Sequence, residues 1–194
     1  VMLTSMSPPE NSTGSSGMSY ISGTNEITAN NSSADLIGGS ATVNVSGANT
    51  YIEVMSGGTL NVSASGVQVS SYTGGTISVG SGYSLLVGSG SSSGVISGSG
   101  GLLKVGTNSL ILSGSNTYTG PTAVSSGRLV VEGSIASSAV SVTNTGVLAG
   151  PGTTGPLTVG NGGTVSPGSG VGALNVSGNL KLTSSGNYNW QIYN

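Results

Sequence analysis

The sequence predicts an all-β parallel solenoid, a β-helix with three short strands per coil and essentially no helix. Three observations predict it. Short aliphatic segments recur between Gly, Ser, Asn and Thr along the whole chain, short words recur about 17 residues apart, and a chain that is 35% hydrophobic is only 4% charged. No segment has the 3.6-residue apolar period or the length of a helix.

Taken in order, residues 1–20 hold Pro8-Pro9, Asn11-Ser12-Thr13 and Gly14-Ser15-Ser16-Gly17 without apolar alternation. They read as a loosely ordered leader or N-terminal cover. Residues 21–194 read as a single β-helical domain. Its strand-like segments begin with Ala41-Thr42-Val43-Asn44-Val45, Tyr51-Ile52-Glu53-Val54, Thr59-Leu60-Asn61-Val62, Val67-Gln68-Val69, Thr76-Ile77-Ser78-Val79 and Ser84-Leu85-Leu86-Val87. They continue with Leu102-Leu103-Lys104-Val105, Ser109-Leu110-Ile111-Leu112, Arg128-Leu129-Val130-Val131, Ala139-Val140-Ser141-Val142, Leu157-Thr158-Val159, Ala173-Leu174-Asn175-Val176 and Asn179-Leu180-Lys181-Leu182.

The repeated words fix the period. Gly57-Gly58-Thr59-Leu60 and Gly74-Gly75-Thr76-Ile77 lie 17 residues apart, as do the Asn-Val-Ser words at Asn44 and Asn61. A repeat of about 17 to 20 residues holding two or three strands is too small to bury its own apolar face and must stack on its neighbours. Each strand then pairs in parallel with its equivalents one coil away, about 4.8 Å distant, and inward aliphatics form ladders. Corners every few residues need positive φ, which Gly adopts freely and Asn tolerates. Nine or ten coils and a rod about 45 Å long are expected. An antiparallel sandwich would need longer strands and hairpin signals, and the sole Asn-Gly is Asn161-Gly162.

Composition excludes most chemistry. There is no His, no Cys and no Phe. The ionisable side chains are Glu10, Glu26, Asp35, Glu53, Glu132, Lys104, Arg128 and Lys181, scattered singly with a net charge of −2. No basic patch is available to neutralise phosphates, so no nucleic-acid partner is expected. A mean hydropathy of +0.20 with so little charge argues against disorder. No apolar stretch reaches the 18 or more residues of a membrane span, and the first residues lack the pattern of a signal peptide. The N-terminus is therefore expected to be a processed or excised one.

The candidate active constellations are weak. Glycosidase chemistry needs two carboxylates flanking one bond, and Asp35, Glu53 and Glu132 are isolated; only Asp35 and Glu53 are one coil apart. A serine nucleophile lacks a base. Gly150-Pro151-Gly152-Thr153-Thr154-Gly155 has the spacing of a nucleotide-binding glycine motif, but a strand follows where a helix is required. No metal or cofactor is expected. Asn-x-Ser/Thr sequons such as Asn30, Asn44 and Asn175 read as compositional.

Gly101-Leu102-Leu103-Lys104-Val105-Gly106, then Ser109-Leu110-Ile111-Leu112-Ser113-Gly114-Ser115-Asn116-Thr117-Tyr118-Thr119-Gly120-Pro121-Thr122 and Ser126-Gly127-Arg128-Leu129, closely resemble the autotransporter-associated β-strand repeat. The residues that match are Gly101, Leu102, Lys104, Leu110, Leu112, Gly114, Asn116, Tyr118, Gly120, Thr122, Gly127 and Leu129. The following stretch, including Gly163-Thr164-Val165-Ser166-Pro167-Gly168 and Gly186-Asn187-Tyr188-Asn189-Trp190-Gln191-Ile192, resembles the last part of an autotransporter passenger, so that the resemblance covers about residues 100–194. It implies a right-handed, three-faced β-helix exported across the outer membrane to a bacterial cell surface.

Two functions follow as expectations. One is a non-enzymatic structural or adhesive rod, displayed on or released from the cell, whose partners are a host or neighbouring cell surface. The other is a fibre or matrix subunit that joins end to end with copies of itself; a carbohydrate-binding or carbohydrate-active β-helix ranks third. Tyr188, Trp190 and Tyr193 are expected to cap the open end of the core, and Tyr118 to pack a corner.

Overall fold

Alternation of aliphatic and hydroxyl residues gives each strand one apolar side, which stacked coils bury. The structure, a computed structural model, describes residues 23–168 and 172–189. The expected leader at 1–20 lies outside the described residues. Within them the chain is all strand and turn, wound as a parallel β-solenoid of about eight turns. Every strand pairing is parallel.

Three faces repeat. The first begins with Thr24–Ile27 and Thr42–Val45, passes through the ends of Tyr51–Val62 and Gln68–Val79, and reaches Val95–Gly98. It resumes with Ser134–Ile135, Thr153–Thr154 and Asn175–Val176. The second runs from Ser33–Ile37 through the starts of those long strands and of Ser84–Ser92, then Gly101–Lys104, Thr122–Val124, Val140–Val142, Leu157–Val159 and Leu180–Leu182. The third takes the end of Ser84–Ser92, then Ser109–Leu112, Arg128–Val131, Val147–Ala149, Thr164–Ser166 and Asn187–Tyr188.

Two expectations are corrected. Strands of three to five residues were expected, whereas Tyr51–Val62 and Gln68–Val79 have 12 residues each. Their glycine pairs, Gly57-Gly58 and Gly74-Gly75, let pairing continue around a corner, with register shifts between Met55 and Ser56 and between Ser56 and Thr59. The turn count also falls below nine or ten, because the coils lengthen. Thr42 pairs with Thr59, but Leu102 pairs with Thr122 and Leu157 with Leu180.

The core is a set of ladders. On the second face Ala34, Ile52, Val69, Val87, Lys104, Val124, Val142 and Val159 follow one another inward, all buried. Beside them run Leu85, Leu102, Thr122, Val140 and Leu157. The third face supplies Leu110, Leu129, Leu148 and Val165, and the first Val43, Leu60, Ile77 and Ile96. Each such side chain contributes about 1.5–3 kcal/mol of burial, so the stack is held by accumulation rather than by any one contact.

The corner between the third and first faces is made of glycine. A Cβ added to Gly75, Gly94, Gly114, Gly133 or Gly152 would strike the carbonyl oxygen of Gly57, Gly75, Gly94, Gly114 or Gly133 respectively. Consecutive coils approach there with no room for a side chain. Asparagines serve other corners: Asn31 and Asn49 have φ of 58° and 56°, and the Asn49 amide donates to Asn31 Oδ1 at 3.2 Å. Short polar side chains tolerate this left-handed backbone and bond to their own equivalents one coil away.

Candidate functional site

The repeat signature concentrates the polar groups that the solenoid buries. Leu102, Leu110, Leu112 and Leu129 occupy ordinary inward rungs. Gly101 and Gly120 sit where backbone meets backbone, facing Pro121 and Gly100 respectively. Lys104, Asn116, Tyr118 and Thr122 are buried as well, and each has a distinct reason to be there.

Lys104 takes a rung between Val87 and Val124, so its alkyl stem continues an aliphatic ladder. Its ammonium reaches the corner that follows, where Nζ donates to Val105 O at 2.6 Å and Gly106 O at 3.1 Å. Burial pushes its pKa below the usual lysine value. Gly127, with φ of 65°, leaves the space beside it: an added Cβ would lie 2.8 Å from Nζ. The two carbonyl dipoles offset the burial of the cation, because an unpaired charge in the interior is costly.

Asn116 stands in for a missing strand. The first face has no strand between Val95–Gly98 and Ser134–Ile135, only a bridge from Ser115 to Ser134. Asn116 Oδ1 accepts the Ile96 amide at 2.9 Å, while its Nδ2 donates to Gly114 O at 3.0 Å and Ser134 O at 3.2 Å. A side-chain amide thereby links the coil above to the coil below as a peptide group would.

Tyr118, Thr122 and Ser138 form a buried hydroxyl chain. The Tyr118 and Thr122 oxygens lie 2.6 Å apart, Thr122 and Ser138 are 2.7 Å apart, and Ser138 Oγ donates to Gly120 O at 2.7 Å. Each hydroxyl has one proton. Ser138 spends its own on Gly120, so Thr122 donates to Ser138 and Tyr118 donates to Thr122. Burial raises the Tyr118 phenol to about 12, against a smaller opposing effect of the two hydroxyl contacts. Tyr72 behaves similarly one region up the rod: its hydroxyl donates to Gly75 O at 2.9 Å, and burial raises its pKa.

These contacts hold the repeat's corners and tie it to the neighbouring coils. Ser138 ends the hydroxyl chain on the Gly120 carbonyl. Among the described residues no three or more His, Cys, Asp or Glu side chains gather. Glu132 is exposed and accepts the Ser113 hydroxyl at 2.8 Å, and Glu53 is exposed. The register sets position 35 beside position 53, since Ala34 pairs with Ile52 and Leu36 with Val54. The Asp35 side chain lies outside the described residues, as do Trp190 and Tyr193.

Tyr188 continues the inward rung of Val165 in the last described coil and is 38% exposed. Sequence reading missed Ser138 altogether and treated Lys104 as one more scattered cation. The usable signal for Lys104 was parity: it lies two residues after Leu102, on the inward side of the same strand.

Residues 102–131 match the family model of the passenger-associated-transport-repeat. An extracellular serine protease of Serratia marcescens is 42% identical over 75 residues. That match covers 39% of this chain and 7% of the protease, so the chain spans a small fraction of that relative's length. No solved structure gives a significant match to this chain.

Proposed function

We propose that this parallel β-solenoid, whose residues 102–131 match the passenger-associated-transport-repeat, is a non-enzymatic, extracellular structural or adhesive rod of the autotransporter-passenger kind, displayed on or released from the bacterial surface. One observation carries this reading. The buried polar groups of the repeat are all spent inside the solenoid: Lys104 on two carbonyls of the corner that follows it, Asn116 on three backbone groups of its own and both neighbouring coils, and Tyr118 and Thr122, with Ser138, on one another and Gly120. Nothing in that set is left to act on a substrate, while outward side chains are mostly hydroxyls and amides. Similarity to an extracellular protease of Serratia marcescens supports an extracellular setting; the protease activity belongs to a protein of which the match covers 7%.

The test is binding of purified chain to bacterial and host cells, read by flow cytometry, beside turnover of casein and of soluble polysaccharides. Saturable cell binding with turnover at the buffer blank is the expected result. Turnover that survives chromatography with the protein would overturn the non-enzymatic reading.

A second reading has its own observation. In the last described coil Leu180 and Leu182, which continue the ladders of Leu157 and Val159, are 48% and 46% exposed. A further coil placed against them would bury apolar area and satisfy the strand edge. Supplied by a second copy, it gives end-to-end polymers visible by negative-stain microscopy at rising concentration. Single short rods at every concentration would remove this reading.

A further inference from the structure

One outer surface of the rod carries two ranks of polar side chains in register. Thr24, Thr42, Thr59 and Thr76 are paired rung to rung on the first face, and two residues along each strand stand Glu26, Asn44, Asn61 and Ser78. The residues between and after them, including Val43, Leu60 and Ile77, are the buried ones, so both ranks point outward.

The two ranks are held differently. Asn61 Nδ2 donates to Asn44 Oδ1, and Asn44 Nδ2 donates to Glu26 Oε1, both at 2.6 Å, which fixes the direction of each amide. Each amide keeps a second N–H for another partner. The four threonine hydroxyls make no hydrogen bond among the described residues. Four other outward hydroxyls, those of Ser63, Thr73, Ser89 and Ser97, are instead each committed to a carbonyl one coil away. The glycine corner adjoins the threonine rank, with Gly58 before Thr59 and Gly75 before Thr76. It supplies no side chains, so the shelf has no wall on that side. Four rungs at about 4.8 Å make a straight run of about 14 Å along the rod axis.

We infer that this threonine and amide shelf binds a linear, neutral polysaccharide laid along the rod. A chain of sugar hydroxyls offers donors and acceptors at regular intervals, as the shelf does. Glu26 is the one ionised residue in either rank, and the chain's net charge is −2. With no cation there to meet a phosphate, sulfate or carboxylate, an anionic polymer is disfavoured. An apolar partner is disfavoured too, since it would strip water from hydroxyls and amides without replacing it. This inference rests on the reading of the chain as an adhesive rod and names its binding face.

The experiment is depletion of the purified chain by insoluble neutral β-glucan and chitin particles. Retention on at least one of them is expected, changing less than twofold between about 0.05 and 0.5 M salt because no charge pair is involved. Thr42→Lys with Thr59→Lys should weaken retention at least tenfold. Thr42→Val with Thr59→Val, which keeps shape and strand preference, should also weaken it and guards against misfolding of the lysine variant. Ser141→Lys with Thr158→Lys, on the second face, should leave it unchanged. The inference is overturned by no retention on either glycan, by equal retention of the valine variant, or by salt-sensitive binding. It is overturned equally by concentration-dependent dimers that only the first-face variants abolish, which would make a second copy the occupant. Cell binding with no glycan retention would defeat this inference while leaving the rod reading in place.

Discussion

Gly114→Ala is the sharpest perturbation of the glycine corner. Its backbone is not in the left-handed region, so alanine brings no φ strain, and on chain entropy alone the change should stabilise by about 0.4–1 kcal/mol. The structure reverses the sign. The new Cβ would overlap Gly94 O and lie 2.6 Å from Ser93 O, both backbone atoms of the coil above. Relief requires the coils to part by about 1 Å, since non-bonded carbon atoms settle only at about 3.5–4.0 Å. Parting strains the bonds that close this corner, Ser113 N to Ser92 O at 2.9 Å and Ser134 N to Gly114 O at 3.1 Å. Two weakened backbone bonds at about 1 kcal/mol each, plus partial desolvation without a partner, give about 2–5 kcal/mol of destabilisation. Urea denaturation followed by circular dichroism measures it, with hydrogen exchange of Ser113 and Ser134 as the local readout, because solenoids need not unfold in one step. Gly106→Ala provides the comparison: φ is 70° and nothing lies within 4 Å, so only the left-handed cost of about 1–2 kcal/mol applies. A Gly114→Ala protein within 0.5 kcal/mol of the parent, or no worse than Gly106→Ala, would refute the close-approach reasoning.

Other outcomes follow from the buried polar rungs. Folded Tyr118 keeps its proton up to about 12, whereas the unfolded chain ionises near 10. Stability should therefore fall by about 3 kcal/mol between pH 10 and 12, and Tyr118→Phe should remove that part of the slope in alkaline urea titrations. Lys104 has the opposite sign: its folded pKa is lowered, so the unfolded chain holds more protons and stability gains as pH rises toward 10.5. Lys104→Met should cost less than about 1 kcal/mol at pH 7 and lose that gain, whereas Lys104→Ala should cost about 2–4 kcal/mol through the cavity it leaves. Asn161-Gly162 should deamidate much more slowly in the folded protein than in urea, read by mass spectrometry. The Gly162 nitrogen that would attack the side chain is held by its own hydrogen bond, its N–H donating to Ser185 O at 2.8 Å.

The fold was legible because a solenoid writes its period into the chain. Asn44 and Asn61, read as a repeated word, are bonded neighbours on adjacent rungs, and Thr59 and Thr76 are paired in register. The glycine words were read as turn residues with positive φ. That holds for Gly58 and Gly75 at 69° and 93°, but it misses the stronger constraint at Gly94, Gly114 and Gly133, whose coils leave no room for a Cβ. Close approach between coils is a long-range property that no local word carries. The same limit hid the hydroxyl chain, since Ser138 lies 16 residues from Thr122 and nothing in its neighbours distinguishes it from an outward serine. Lys104 is different. Its inward parity is written in the strand, two residues after Leu102, although lysines are seldom fully buried.

Register is the claim on which all of this stands, and a chain without cysteine allows it to be measured by paired cysteines. Thr42 with Thr59, Ser141 with Thr158, and Ser109 with Arg128 are rung partners on the first, second and third faces. Cα atoms on neighbouring strands fall within the span a disulfide can bridge. Each of the three double-cysteine proteins should form an intramolecular disulfide under mild oxidation, while Ser141 paired with Ser109 or with Thr42, on other faces, should not. Failure of the three partner pairs, or equal cross-linking of the mismatched ones, would contradict a parallel three-faced solenoid.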